Sequence, residues 1–122
     1  MSNEIRILLE STSAVSADFS YGQKNKAAGY YMLDNPLHTV HFDLDDFLGT
    51  IKIQGTLELN PGNNDWVDLN FDSGLPISSE DSTVITGNLS RNITGNWTYI
   101  RAAYKLDAGA INKIMYLLWK RV

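Results

Sequence analysis

Two stretches of strict period-two alternation constrain this chain more than anything else in it. In residues 37–45, Val40, Phe42 and Leu44 point one way, and His41, Asp43 and Asp45 the other. After Gly49, Ile51, Ile53, Leu57 and Leu59 share a face opposite Lys52, Gln54, Thr56 and Glu58. Alternation of this kind puts all the apolar side chains on one side of a pleated strand, whereas on a helix it would scatter them around the axis. Gly55 falls on the apolar face, where a missing side chain marks a bulge or the close approach of a neighbour.

The rest of the chain reads as further short strands. Residues 4–10 place Ile5, Ile7 and Leu9 on one face, and residues 29–34 (Gly-Tyr-Tyr-Met-Leu-Asp) run into the turn signal Asn35-Pro36. The Pro61-Gly62-Asn63-Asn64 loop leads to a strand over residues 66–71, making a hairpin with a long connection. Residues 72–81 are polar and carry no regular signal, and 82–86 form a short edge strand. A long strand over 96–106 ends at a turn, Asp107-Ala108-Gly109. Residues 110–120 fit a helix face through Ile111, Ile114, Met115 and Leu118, or a strand that is apolar on both sides; the strand is preferred. The fold expected is all-β: a single antiparallel sandwich over residues 1–122, jelly-roll-like, of about eight strands with little or no helix. Its expected core is Ile5, Ile7, Val40, Phe42, Leu44, Ile51, Ile53, Leu57, Ile100, Ala102 and Tyr104.

With 122 residues, 43% of them apolar and 20% charged, the chain is long and apolar enough for one self-supporting core. A net charge of −4 argues against a nucleic-acid binder. No cysteine is present, which removes disulfides and thiol chemistry. No signal peptide is read at the N-terminus, and no apolar run reaches the roughly 20 residues of a membrane-spanning helix, so no membrane role is expected.

Catalysis finds no support in the motifs. There is no Gly-x-Ser-x-Gly elbow and no glycine-rich phosphate loop. His38 and His41 are three apart, on opposite faces of a strand, and make a poor metal pair; one is expected in a loop and one facing solvent. The acidic groups Asp43, Asp45, Asp46 and Asp65, Asp68, Asp72 lack the glycine and distal glutamate of a helix-loop-helix calcium site and read as solvated strand ends. No cofactor, metal or catalytic residue is therefore expected. The sequons at Asn88, Asn92 and Asn96 read as turn-rich polar sequence rather than glycan sites. The informative strand is 96–106. Ile100, Ala102 and Tyr104 suit a core; Trp97, Tyr99 and Arg101 form the other face, and these three residue types are enriched at protein–protein contacts. They form the expected assembly face, unless a loop folds over them.

Residues 42–57 and 95–102, with Asn60-Pro61 and Asp65-Trp66 between, carry a resemblance. A Gly49-Thr50-Ile51 strand leads through a polar loop to Asp65-Trp66, and a later Tyr99-Ile100-Arg101 strand precedes an Ala108-Gly109 turn and a last strand. This order resembles small structural proteins of tailed bacteriophages, notably T4-like phages of marine cyanobacteria, and galactose-binding-type jelly rolls. The resemblance covers about residues 40–119. It implies a non-enzymatic virion component of head, neck, tail or baseplate, assembled in the host cytoplasm. Its partners are then copies of itself, as a homo-oligomer, and other virion proteins. The alternative is a carbohydrate-binding module for host-surface recognition, with Trp66, Trp97 or Tyr99 against the sugar.

Overall fold

The protein was analysed as a computed structural model, which describes residues 2–31, 37–69, 77–78 and 84–120. The described residues form eight strands and no helix. They are β1 (Ser2–Leu9), β2 (Ser20–Tyr21), β3 (Asn25–Lys26), β4 (His38–Thr56), β5 (Val67–Leu69), β6 (Ile77–Ser78), β7 (Ile85–Ile93) and β8 (Tyr99–Lys120). All pairings are antiparallel.

Two strands organise everything else. β4, of 19 residues, pairs with β8, of 22, from His38↔Leu118 to Thr56↔Tyr99. The first half of β4 and the last half of β8 are flanked by β7 and β1; the other halves are flanked by β5 and β6 on one side and β2 and β3 on the other. The paired strands bend in the middle, so one hydrogen-bonded sheet supplies both layers of a sandwich-like fold. Contacts cross between the layers: the Tyr116 hydroxyl donates to the Lys26 carbonyl at 2.7 Å, and the Ala28 N–H donates to His38 Nε2 at 3.1 Å.

The bend has a visible cause in the backbone. The β4–β8 register slips between Asp43 and Leu44, between Asp45 and Leu48, and between Leu48 and Gly49. Each bulge adds a residue to one strand and increases its local twist. The slips also change phase: Val40, Phe42 and Leu44 are buried on even positions, then Phe47, Ile51 and Ile53 on odd ones. Without that change one layer would turn its apolar side to water. Asp46 (φ 48°) and Gly109 (φ 78°) take left-handed conformations at the corner. A Cβ on Gly109 would lie 2.0 Å from the Asp46 carbonyl oxygen, so only glycine fits where the strands cross the bend.

Several expectations are corrected here. The Asp107-Ala108-Gly109 turn is a bend inside β8, which continues to Lys120; the strand reading of 110–120 is therefore the right one. Likewise 37–45 and 49–59 are not separate strands but halves of β4, which ends at Thr56 and leaves Leu57 69% exposed in the following loop. The N-terminal face is reversed: Leu8 is buried, while Ile5 and Ile7 are 68% and 45% exposed. Alternation favours the Ile5 and Ile7 side, but the inward side carries Arg6 beside Leu8, with the Arg6 guanidinium 5.4 Å from the ring centroid of Tyr31, which packs against the core. Residues 28–31 form a turn rather than a strand, with Tyr30 N–H donating to the Ala27 carbonyl; residues 32–36 lie outside the described residues. The strand expected at 66–71 is described only over Val67–Leu69. The short edge strand at 82–86 is instead the nine-residue β7, with 82 and 83 outside the described residues.

Val40, Phe42, Leu44, Ile51, Ile53, Ile100 and Ala102 are all buried as expected, joined by Ala27, Ala28, Phe47, Ile93, Leu106, Ile111, Ile114 and Tyr116. Tyr104 is half-buried and packs against this cluster. Phe42 has no exposed surface and lies in β4, so Phe42→Ala is expected to cost about 3–5 kcal/mol in chemical denaturation. Leu57→Ala, at an exposed position, is expected to change stability by less than about 0.5 kcal/mol. Equal losses from the two would contradict this core.

Candidate functional site

The alternation of β8 places Tyr99 and Arg101 on the side away from Ile100 and Ala102. Arg101 lies opposite Gln54 of β4, and Tyr21 of β2 lies opposite Ala103. This register brings an aromatic ring beside the guanidinium, and Trp66, one residue before β5, supplies a second. The Arg101 guanidinium carbon is 4.1 Å from the Tyr21 ring centroid and 4.4 Å from that of Trp66. Arg101 is only 6% exposed. Its Nε donates to Gln54 Oε1 at 2.9 Å, Gln54 Nε2 donates to Asp68 Oδ1 at 2.9 Å, and Lys52 Nζ donates to Asp68 Oδ2 at 3.1 Å.

A cation held between two rings and out of water is stabilised by their quadrupoles, by up to about 2 kcal/mol for a desolvated contact. Burial lowers the Arg101 pKa from its ordinary value, yet a guanidinium starts so high that it stays charged. The Gln54 hydrogen bond, with help from Lys52, holds the Asp68 carboxyl below the usual carboxylate value against a smaller opposing effect of burial. Arg101 thus braces the outer face of the second layer by fastening the β2 end and the 60–66 loop to the central strands.

Tyr99 sits beside this brace in a string of rings and cations. Its ring centroid is 5.6 Å from that of Tyr30, with Lys24 Nζ 4.6 Å above it; Lys26 Nζ is 4.6 Å from the Tyr30 ring centroid. Trp97 is elsewhere. β8 begins only at Tyr99, so strand alternation does not extend back to residue 97. The Trp97 ring lies over Gly55, which shares the core face with Ile51 and Ile53; a Cβ on Gly55 would stand 2.7 Å from the indole. This is the close approach that glycine on an apolar face signals. Trp97 Nε1 donates to the Thr94 carbonyl at 3.2 Å, and the ring lines a groove of about 350 Å³ with Thr56, Leu57, Glu58, Asp65 and Val67. The three residues of the expected assembly face therefore do not share one surface. Tyr99 and Arg101 are together, and Trp97 closes the end of the core.

Other candidates have local partners. His38, expected in a loop or facing solvent, is a fully buried strand residue whose Nε2 accepts from Ala28. His41 lies on the outer face, with its Nε2 3.0 Å from Asn88 Oδ1. Thr39 donates to Asn92 Oδ1 at 2.8 Å, so two of the sequon asparagines tie β7 to β4. Asp43 accepts from Asn112, Asp46 from Thr86, and Asp65 from the Gly62 N–H; Asp72 lies outside the described residues. Among the described residues, no three His, Cys, Asp or Glu side chains are grouped to hold a metal ion. Sequence reasoning missed Tyr21, Gln54 and Asp68 as members of the Arg101 site, since only the strand register brings them together.

Arg101→Ala is expected to cost about 2–3 kcal/mol in urea unfolding, because it removes a hydrogen bond to a charged group and the filling between two rings. Arg101→Lys should recover only part of this, lacking the planar guanidinium. Asp68, with its pKa held down in the folded protein, adds stability that is complete above about pH 4 and disappears as pH falls through its lowered value. The carboxylate side is 56% exposed, so this contribution is small. In Asp68→Asn the acid limb of a melting-temperature profile should be shallower than in the wild type; an unchanged limb would contradict the linkage.

No family model matches the chain, and no curated protein does. Among solved structures, the SPBc2 prophage-derived protein YomS is similar, with a TM-score of 0.58 and 12% identity over 95% of this chain and 91% of that one. The likeness is one of fold, and it extends over almost the whole of both chains. This chain shares its all-β architecture with a phage-derived protein.

Proposed function

We propose that this chain is a non-enzymatic structural component of a tailed-phage virion, working by contact with its own copies and with neighbouring virion proteins. The observation that carries the reading is the fold shared with a prophage-derived protein along nearly the full length of both. Fold alone does not assign a role, and the surface adds to it. The best-organised chemistry in the molecule is structural: Arg101 is spent on holding two aromatic rings in place rather than left open to a substrate. Tyr99 and Tyr30, with Lys24 and Lys26, offer partly exposed rings and cations on the same outer face, which suits a protein contact.

The test is mass spectrometry of gradient-purified particles of the phage that encodes the chain. Peptides in stoichiometric amounts are expected in the particle, and their absence there, with the chain present in the infected cell, overturns the proposal. One observation favours the carbohydrate alternative, namely the Trp97 groove with Glu58 and Asp65 among its lining. A tryptophan-fluorescence titration with host-surface polysaccharides decides it. Saturable quenching that Trp97→Ala abolishes would favour sugar recognition; a flat titration removes it.

A further inference from the structure

The groove beside Trp97 is lined by a chemically one-sided set of groups. Leu57 and Val67 are 69% and 50% exposed, the Trp97 ring is half-buried beside them, and Glu58 and Asp65 bring two carboxylates to the same lining. Among the described residues neither carboxylate forms an ion pair. Asp65 Oδ2 accepts from the Gly62 N–H at 2.7 Å, which leaves its second oxygen for another donor.

The side chains of the lining offer acceptors and almost no donors. The Trp97 indole N–H is already engaged by the Thr94 carbonyl at 3.2 Å. Thr56 is only 2% exposed, and its hydroxyl oxygen receives the Glu58 N–H at 3.1 Å. A sugar presents hydroxyls that both donate and accept, and such a lining answers only half of them. A guanidinium is the closer match. It carries several N–H donors and no acceptor, its flat face stacks on an indole, and its aliphatic stem suits Leu57 and Val67. The molecule uses the same chemistry within itself, where Arg101 lies between the rings of Tyr21 and Trp66.

We propose that the Trp97 groove receives an arginine side chain of a partner protein, with the guanidinium against the indole and hydrogen-bonded to Glu58 and Asp65. Charge complementarity names this occupant. The chain carries a net charge of −4, and two carboxylates without a counter-charge border an apolar groove. A purely apolar partner would cover those carboxylates and leave them unpaired, and an acidic one would be repelled. A free cation would leave Leu57 and Val67 in water, whereas a protein surface around the arginine covers them. Arginine is also among the residue types that dominate the energetics of protein contacts. The inference rests on the assembly reading and names the chemistry of one contact within it.

The test is a nuclear magnetic resonance titration of the full, isotope-labelled chain with the blocked tripeptide acetyl-Gly-Arg-Gly-amide. Saturable shifts are expected at the Trp97 indole N–H and at the Leu57, Glu58 and Val67 amides. The same peptide with citrulline in place of arginine, nearly isosteric but neutral, should bind about tenfold more weakly or less. The Glu58→Gln, Asp65→Asn double variant should lose affinity for the arginine peptide by a similar factor. Its melting temperature should be unchanged, because both positions are exposed and asparagine can still accept from the Gly62 N–H. Trp97 is kept in these variants because its ring packs against the core. A flat titration overturns the proposal, as does citrulline binding equal to arginine. Putrescine that binds as tightly as the arginine peptide overturns it in favour of a free polyamine. Saturable polysaccharide binding at the same resonances, without peptide binding, overturns it in favour of the sugar. All of this is read in dilute protein, so failure here leaves the particle-composition test of the assembly reading untouched.

Discussion

The structure depends on one ladder, that between β4 and β8. Every other described strand is hydrogen-bonded to one of these two, and most of the buried apolar side chains come from them. Two strands of about twenty residues are too long for a single flat layer in a chain of this size. Bending them in register solves two problems together. It brings the apolar faces of the two halves against each other, and it lets one ladder serve both layers. The demands fall on the corner, where bulges must shift phase on both strands while the ladder persists. Asp46, Gly49 and Gly109 meet them, and Thr86 secures the corner from β7 through hydrogen bonds with the Asp46 N–H and carboxylate.

This origin explains which parts of the fold are legible in the sequence. Val40, Phe42 and Leu44 are set against clear polar neighbours, as are Ile51 and Ile53, so their burial follows from alternation alone. The corner is not legible in that way. Asp107-Ala108-Gly109 has the composition of a turn, and a left-handed glycine is common to a hairpin and to a bulged bend. What separates them is whether the partner strand bends too, which is a property of the pair. β7 escapes notice for a related reason. Its outward Thr86, Asn88 and Ser90 suggest a loop, and only its pairing with β4 makes it a strand.

The candidate site divides along the same line. Reading Trp97, Tyr99 and Arg101 as one face assumes that the strand reaches residue 97, and it stops short by two residues. Trp97 then turns onto Gly55, and the space that glycine leaves is filled by indole. Gly55 therefore carried the better signal for Trp97 than did the spacing of the aromatics. For Arg101 the residue type signalled a desolvated environment correctly, but the desolvating partners belong to the same chain. Tyr21 and Trp66 are 45 residues apart in the sequence, the first within a two-residue strand and the second just before a three-residue one, and both strands are too brief to be read from pattern.

With the interior filled, the chemistry left to this molecule lies on its outside, and the outside is uneven. The second layer turns Tyr99, Tyr30 and lysines outward around a rigid, braced network. The first layer turns Ile5 and Ile7 outward at one edge and hydroxyl and amide groups at the other. Isoleucine left in water forfeits a burial free energy of about 25 cal/mol per Å², yet its β-branched side chain suits the extended backbone, so a strand holds it on either face.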